Sequence, residues 1–243
     1  MDTIVAAEQM AQKDCAVVLV LGGDGTNRAF VRGWQDATLV SLSTGTNNVF
    51  PVMAEATVAG MALGLVATGK VASRSVASQA KLIEIDIEDE EQDIALIDAV
   101  ITRDAFIGAK ALLDPSQLKE ALLCRAEPAA VGITSLGGLV RPVSDQDDFG
   151  LHLTFGEGGR QLFAPMGPGM FATVNIGKTR LVKFDQVVRT LGPSVIALDG
   201  ERERVIATGQ RIEMRISRRG PWVVDLAATL LRAAKQKIFL RTM

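Results

Sequence analysis

A continuous apolar run, Val17-Val18-Leu19-Val20-Leu21, passes directly into Gly22-Gly23-Asp24-Gly25-Thr26. A strand without polar alternation is covered on both faces, as in a parallel sheet packed between helices. Glycines straight after it permit a tight loop, and helix-forming sequence resumes at Thr26. Strand, tight loop and helix in this order restrict the chain to an open α/β arrangement, in which ligands sit beyond the carboxyl ends of the strands.

The neighbouring segments fit that frame. Residues 3–13 read as a helix that Asp2 or Thr3 can cap. Residues 38–42 form a second buried strand, which a polar loop, Ser43 to Asn48, follows. Residues 56–68 form a third helix closed by Gly69. From about Ser78 the texture changes. Residues 81–88 alternate strictly, with Ile83, Ile85 and Ile87 on one face and Glu84, Asp86 and Glu88 on the other. A turn at 89–92 and a strand at 93–103 complete an antiparallel hairpin. A helix is expected next, capped by Asp114, with Pro115 in its first turn and Leu118, Ala121 and Leu122 along one face. Short strands cut by Gly and Pro follow, at 151–155, 161–164, 171–176, 195–198, 204–207 and 211–216, the spacing of a β-sandwich. A strand at 222–224 and a helix at 226–238 restore α/β character. The expected division is therefore 1–77 (parallel α/β), 78–220 (antiparallel β-sandwich) and 221–243, a strand and helix returning to the first domain.

The Gly22–Thr26 loop carries the clearest chemistry. Gly22, Gly23 and Gly25 let backbone N–H groups approach phosphate oxygens, and the helix from Thr26 and Asn27 adds its positive end. Asp24 stands where a carboxylate can take a proton from a hydroxyl nucleophile. Phosphoryl transfer otherwise needs positioning, charge stabilisation and Mg²⁺. The plainer alternative is a Gly-rich turn whose Asp caps the next helix. The segment is not a dinucleotide fingerprint, because Arg28 stands where the last glycine would fall. Gly177-Lys178-Thr179 does not complete a Walker A loop either, since Ala172 occupies its first glycine position. Thr44, Gly45, Thr46 and Asn48 close the next strand at the same sheet edge, as phosphate or ribose ligands or as an ordinary turn with Asn48 as helix cap. Asp199-Gly200-Glu201 reads as a hairpin turn, or as carboxylates that help hold Mg²⁺ or the acceptor. Asp98 lies in an apolar strand, where a carboxylate is costly unless it is paired, used or on the exposed face.

Other classes fall away. The net charge is −2, aromatics make up 5%, and Tyr is absent, so neither a basic stripe nor stacking rings favour nucleic acid. The Arg and Lys residues from Arg211 to Arg241 read as a solvated face. The longest apolar run, Cys15 to Leu21, is too short to span a membrane, and no leader is visible. Cys15 and Cys124 read as reduced core thiols of a cytoplasmic protein. His152 is the single histidine. On an alternating strand it reads as structural or exposed, which leaves neither a hydrolase triad nor a His-based zinc site.

Taken together these residues resemble a known superfamily. Gly22-Gly23-Asp24-Gly25-Thr26 is similar to the GGDGT signature of NAD kinases, diacylglycerol and sphingoid lipid kinases and 6-phosphofructokinases. Thr44 to Phe50 resembles the G-T-x-N-x-F element of the lipid kinases. Ala95-Leu96-Ile97-Asp98 resembles the A-L-N-E/D element of NAD kinases, with Ile97 at the asparagine position. Asp199-Gly200-Glu201 resembles D-G-E or D-G-Q. The runs 21–31, 106–112, 126–128, 197–203 and 220–225 resemble the acetoin-catabolism protein X group, classed with ATP-NAD kinases. The resemblance implies an NAD kinase/diacylglycerol kinase-like fold and Mg²⁺-dependent transfer of phosphate from ATP to the ribose 2′-hydroxyl of NAD, giving NADP. Asp24 would be the base, and Gly22, Gly23, Gly25 and Thr26 would cradle phosphates. Asn48 would hold a nucleotide, Asp98 an NAD ribose or base, and Asp199 and Glu201 would assist. Metal would come through the ATP phosphates, with Asp199 and Glu201 as candidate ligands. A homodimer is expected by analogy. Compared with the family pattern, the chain starts one helix before the GGDGT strand, without the usual preceding βα portion and its N-P-x-S-G type loop. A lipid kinase and a nucleotide-binding regulator without turnover are the alternatives, and polyphosphate is an alternative donor.

Overall fold

The computed structural model describes residues 2–103, 114–200 and 202–240. It comprises two compact units, Met1–Ala80 with Arg219–Met243, and Lys81–Arg218.

The first unit contains α1 (Asp2–Gln12), β1 (Val18–Leu21), α2 (Asp24–Gly33), β2 (Thr38–Leu42), α3 (Ala56–Ala67) and β3 (Ala77–Gln79), together with β14 (Trp222–Val224) and α5 (Leu226–Lys235). Its sheet runs β1-β2-β14-β3. The first two pairings are parallel and the last is antiparallel. Leu39 and Val40 point to opposite faces of β2 and both are 0% exposed, so the strand is covered on both sides. Val40 and Leu42 share one apolar cluster with Ala59, Leu65 and Val66 of α3 and Ala233 of α5. Elsewhere α1 meets α2 so closely that a Cβ on Gly33 would lie 2.3 Å from the carbonyl oxygen of Ile4.

The second unit is a sandwich. Its strands are β4 (Leu82–Ile87), β5 (Asp93–Ala95), β6 (Asp98–Thr102), β7 (Leu118–Leu123), β8 (Phe149–Gly167), β9 (Met170–Lys183), β10 (Val188–Leu191), β11 (Ser194–Leu198), β12 (Arg202–Ile206) and β13 (Arg211–Ser217), with one helix, α4 (Ile133–Val140). A four-stranded sheet, β10-β13-β4-β5, and a six-stranded sheet, β12-β11-β6-β7-β8-β9, are antiparallel throughout. Ile83, Ile85 and Ile87 of β4 lie in one core with Ile101 of β6, Leu122 of β7 and Ile196 of β11. A second core holds Ile133 and Leu136 of α4 against Leu123 of β7 and Leu151 of β8. The central strands β6, β7 and β11 of the six-stranded sheet are thus buried on both faces.

Three sequence expectations change here, and one helix is added to them. The helix expected after Asp114 is a three-residue 3₁₀ turn, Pro115–Gln117, followed by strand β7. Asp114 does cap that turn, accepting from Ser116 N at 2.9 Å. Double-sided burial removes the period-two alternation from β7, and the spacing of Leu118, Ala121 and Leu122 then fits a helix equally well. Helix α4 was not among the elements read from the sequence, and it contains Gly137 and Gly138. Both are close-packing positions: a Cβ on Gly137 would lie 2.4 Å from Leu123 Cδ1, and one on Gly138 would lie 2.3 Å from Glu127 C. Residues 151–155 and 161–164 belong to one strand, because Phe155 and Arg160 both face Ile176 and the intervening residues form a bulge. The strand expected at 93–103 is two strands in different sheets, with Leu96 and Ile97 forming the corner between them. Residues 106–112 and Glu201 lie outside the described residues. Among the described residues no helix is long and apolar enough to cross a membrane.

Candidate functional site

In the first unit, β1 and β2 are adjacent and parallel, so the loops after them emerge side by side. Gly22 N donates to Leu42 O at 3.1 Å, fixing the two strand ends together. The second loop is closed at its base by Ser43 N to Val52 O, 2.8 Å, and Val52 N to Ser41 O, 3.1 Å. Residues 44–47 form its exposed tip, whereas Asn48 and Val49 are half-buried and Phe50 is buried.

Two side chains join the loops in opposite directions. The Asp24 carboxylate accepts from Val49 N at 3.1 Å and from Phe50 N at 2.8 Å. The Asn48 side chain returns the connection, its Oδ1 accepting from Asp24 N at 3.3 Å. Helix α2 starts at Gly23, which has no side chain to cap it, and the first amides of a helix have no partner within it. Asn48 therefore supplies from the neighbouring loop an acceptor that a local cap would normally provide. Asn48 Nδ2 donates in turn to Ser43 Oγ at 2.7 Å, and that hydroxyl donates to Gly45 O at 2.8 Å.

The glycines follow from this interlock. A Cβ on Gly23 would lie 2.7 Å from Asn48 Oδ1, and one on Gly22 would lie 2.6 Å from the Thr26 side chain. A larger residue at Gly22 would meet Thr26 of the same segment, and one at Gly23 would have to displace the Asn48 side chain of the neighbouring loop. Asn27 corrects an expectation. It is 0% exposed, and its Nδ2 donates to Gly23 O at 2.8 Å while Ser41 Oγ donates to its Oδ1 at 2.5 Å. It supports the loop from beneath and offers no surface to a ligand.

The remaining candidates lie in the second unit. Asp199 is 7% exposed and adopts the left-handed conformation, φ +52°, at the end of β11. Its carboxylate accepts from Leu96 N, Ile97 N and Asp98 N at 2.8–3.2 Å, and its own N–H donates to Asp98 O at 3.0 Å. Asp199 therefore holds the corner where the chain crosses from β5 to β6. Those bonds hold the segment that carries Asp98. Asp98 is 8% exposed, and the neighbouring Ile97 is 2% exposed. Among the described residues, no three His, Cys, Asp or Glu side chains gather as a metal site.

His152 is buried. Its Nε2 lies 2.8 Å from Glu120 Oε2, and Arg180 Nε donates to its Nδ1 at 3.2 Å, so Nε2 carries the hydrogen. Burial pushes the Cys124 thiol well above its ordinary value, which keeps it protonated and unreactive.

The sequence reading missed the amides of Val49 and Phe50, because a backbone donor has no residue signature. Ser41 was detectable, as a hydroxyl inside the apolar strand Thr38–Leu42 that needs a partner.

The chain's similarities agree with this geometry. Residues 1–71 match the ATP-NAD kinase N-terminal domain, and residues 81–219 match the acetoin catabolism protein X C-terminal domain. Acetoin catabolism protein X of Cupriavidus necator is 36% identical over 245 residues, covering 98% of this chain and 68% of that protein. The crystal structure of yeast NADH kinase complexed with NADH aligns with a TM-score of 0.55 at 13% identity, over 97% of this chain and 70% of that one, and shares the fold. An NAD kinase-like first domain, an antiparallel second domain and a relative matched over nearly all of this chain converge: the chain belongs to the acetoin catabolism protein X family.

Proposed function

We propose that the protein is an ATP-dependent phosphotransferase that acts on an alcohol, with the ribose 2′-hydroxyl of NAD as acceptor. The observation that carries this reading is the pair of interlocked loops at the carboxyl ends of two parallel strands, with Asp24 at the helix start between them. In this reading the acceptor oxygen attacks the γ-phosphorus of ATP, the bond to the β,γ-bridging oxygen breaks, and ADP leaves. The hydroxyl proton passes to the Asp24 carboxylate. Gly25 and Thr26 N–H, at the start of α2, face the phosphates together with the exposed tip Thr44, Gly45 and Thr46. Asn48 keeps the two loops in register. In the second unit Asp98, on a segment that Asp199 fixes, is a candidate ligand for the acceptor. Mg²⁺ would arrive on the ATP phosphates and offset their charge. Among the described residues, no three His, Cys, Asp or Glu side chains gather to hold it.

A nucleotide-binding protein without turnover is the second reading. It is favoured by Ile97, a buried apolar residue at a position where the NAD-kinase pattern has an asparagine.

The deciding assay incubates the protein with Mg²⁺-ATP and NAD and reads NADP by enzymatic cycling. The expected result is NADP formation that falls by about 10²-fold or more in Asp24→Asn, the usual worth of a general base. Absence of NADP, with ATP still raising the melting temperature, would replace the first reading by the second.

A further inference from the structure

We infer that the paired amides of Val49 and Phe50 are an anion site that the Asp24 carboxylate fills in the unliganded protein and that a phosphate group takes over. Binding of the phosphate-bearing ligand thereby releases the carboxylate. This rests on the phosphate-handling reading of the two loops but not on NAD as acceptor.

Two successive backbone N–H groups converging on one oxygen form an anion-binding concavity, and phosphate oxygens accept hydrogen bonds as a carboxylate does. Here the occupant is internal: Asp24 Oδ1 lies 3.1 Å from Val49 N and 2.8 Å from Phe50 N. In that position the carboxylate is an acceptor for the protein's own backbone, whereas a base must present itself to a substrate hydroxyl. Replacing it with a phosphate oxygen reconciles the two requirements without leaving the amides unsatisfied. Asp24 and Val49 are only half-buried, so a ligand from solvent reaches them. The exchange needs no loop movement, because Ser43 and Val52 pin the base of the loop and Asn48 still binds Asp24 N after the carboxylate turns away. Only the Asp24 side chain rotates. The proton acceptor is thus withheld until a phosphate is in place, which disfavours abstraction before the donor is bound.

The probes are inorganic phosphate and ADP, titrated into ¹⁵N-labelled protein with no acceptor present. The Val49 and Phe50 amide resonances should shift along the same saturation curve as those of Gly25 and Thr26. Asp24→Asn should bind phosphate about tenfold more tightly than the parent, because the competing internal anion is gone and the competent fraction rises. That gain should persist in 0.5 M salt, whereas a gain from removing a distant charge would be screened. Saturation that shifts Gly25 and Thr26 but leaves Val49 and Phe50 unmoved would overturn the exchange. So would a variant that binds no more tightly than the parent, or whose gain vanishes with salt. The titration in the parent remains decisive if the variant folds poorly. A protein that passes this test yet forms no NADP would lose the kinase reading and keep the exchange.

Discussion

Asp24 and Asp199 use the same chemistry in two units and to different ends. Each is an aspartate beside glycine whose carboxylate collects amides from a segment far away in sequence. Asp24 takes two amides of a loop with an exposed tip and is itself half-buried. Asp199 takes three at a sandwich corner and is 7% exposed. Once sealed from water, a carboxylate with three amide donors has no competing partner, and its conformation is fixed even at the cost of a left-handed backbone. Left at the surface, a carboxylate with two amide donors can be outcompeted by another anion. Burial, more than the identity of the bonded atoms, separates a structural clamp from a latch.

The largest expected effect tests the buried member. Asp199→Ala leaves three amides without their acceptor in the second unit, at about 1–3 kcal/mol each where water cannot reach. Urea unfolding should show a loss of about 3 kcal/mol or more, concentrated in the sandwich, and Asp199→Asn should recover part of it. Asp24→Ala should cost only about 1 kcal/mol, because water can replace the carboxylate at Val49 and Phe50. Equal losses at the two positions would end the distinction drawn here.

How far the sequence revealed this depends on what kind of group does the work. Strand Thr38–Leu42 was readable because a strand covered on both faces is apolar on both, here Leu39, Val40 and Leu42 around a single buried Ser41. The same double burial made Leu118–Leu123 look helical, since Leu118, Ala121 and Leu122 fit both periods. Gly137 and Gly138 are contact points inside a helix that the sequence reading did not place. At the candidate site, the position of Asp24 between strand and helix was visible in the order of residues. Its attachment to Val49 and Phe50 was not, because backbone donors are common to nearly every residue. Asp199 was read correctly as a turn residue, but its carboxylate points back to the corner at Leu96 and Ile97, and no local pattern encodes that long-range partner.

The next effect tests the other half of the interlock. Gly23→Ala places a methyl 2.7 Å from Asn48 Oδ1 and should cost about 2 kcal/mol through strain and loss of the Asn48 bond to Asp24 N. Asn48→Ala removes both the obstacle and the bond. In a double-mutant cycle the two substitutions should therefore be non-additive by about 1 kcal/mol, the pair costing less than the sum. Additive costs would mean that Asn48 swings aside freely and does not tie the loops. Asp199 lacks such a partner glycine pair, so no comparable coupling is expected at its corner.

The smallest effect adds a third carboxylate whose partners are side chains. Glu120, of which 11% of the side chain is exposed, lies 2.8 Å from His152 Nε2. Burial alone would raise its pKa, but hydrogen bonds from His152 and Thr190, with the Lys119 charge nearby, outweigh it and hold the carboxyl below its usual value. A carboxyl whose pKa is depressed on folding contributes stability above its unfolded value of about 4.5 and loses that contribution as pH falls through the lower folded value. In Glu120→Gln the decline of unfolding free energy below about pH 4.5 should therefore be shallower than in the parent, by up to one bound proton in the slope. Slopes that coincide would show that Glu120 is protonated as readily in the folded chain as in the unfolded one. The His152 contact would then be proximity without a consequence for stability.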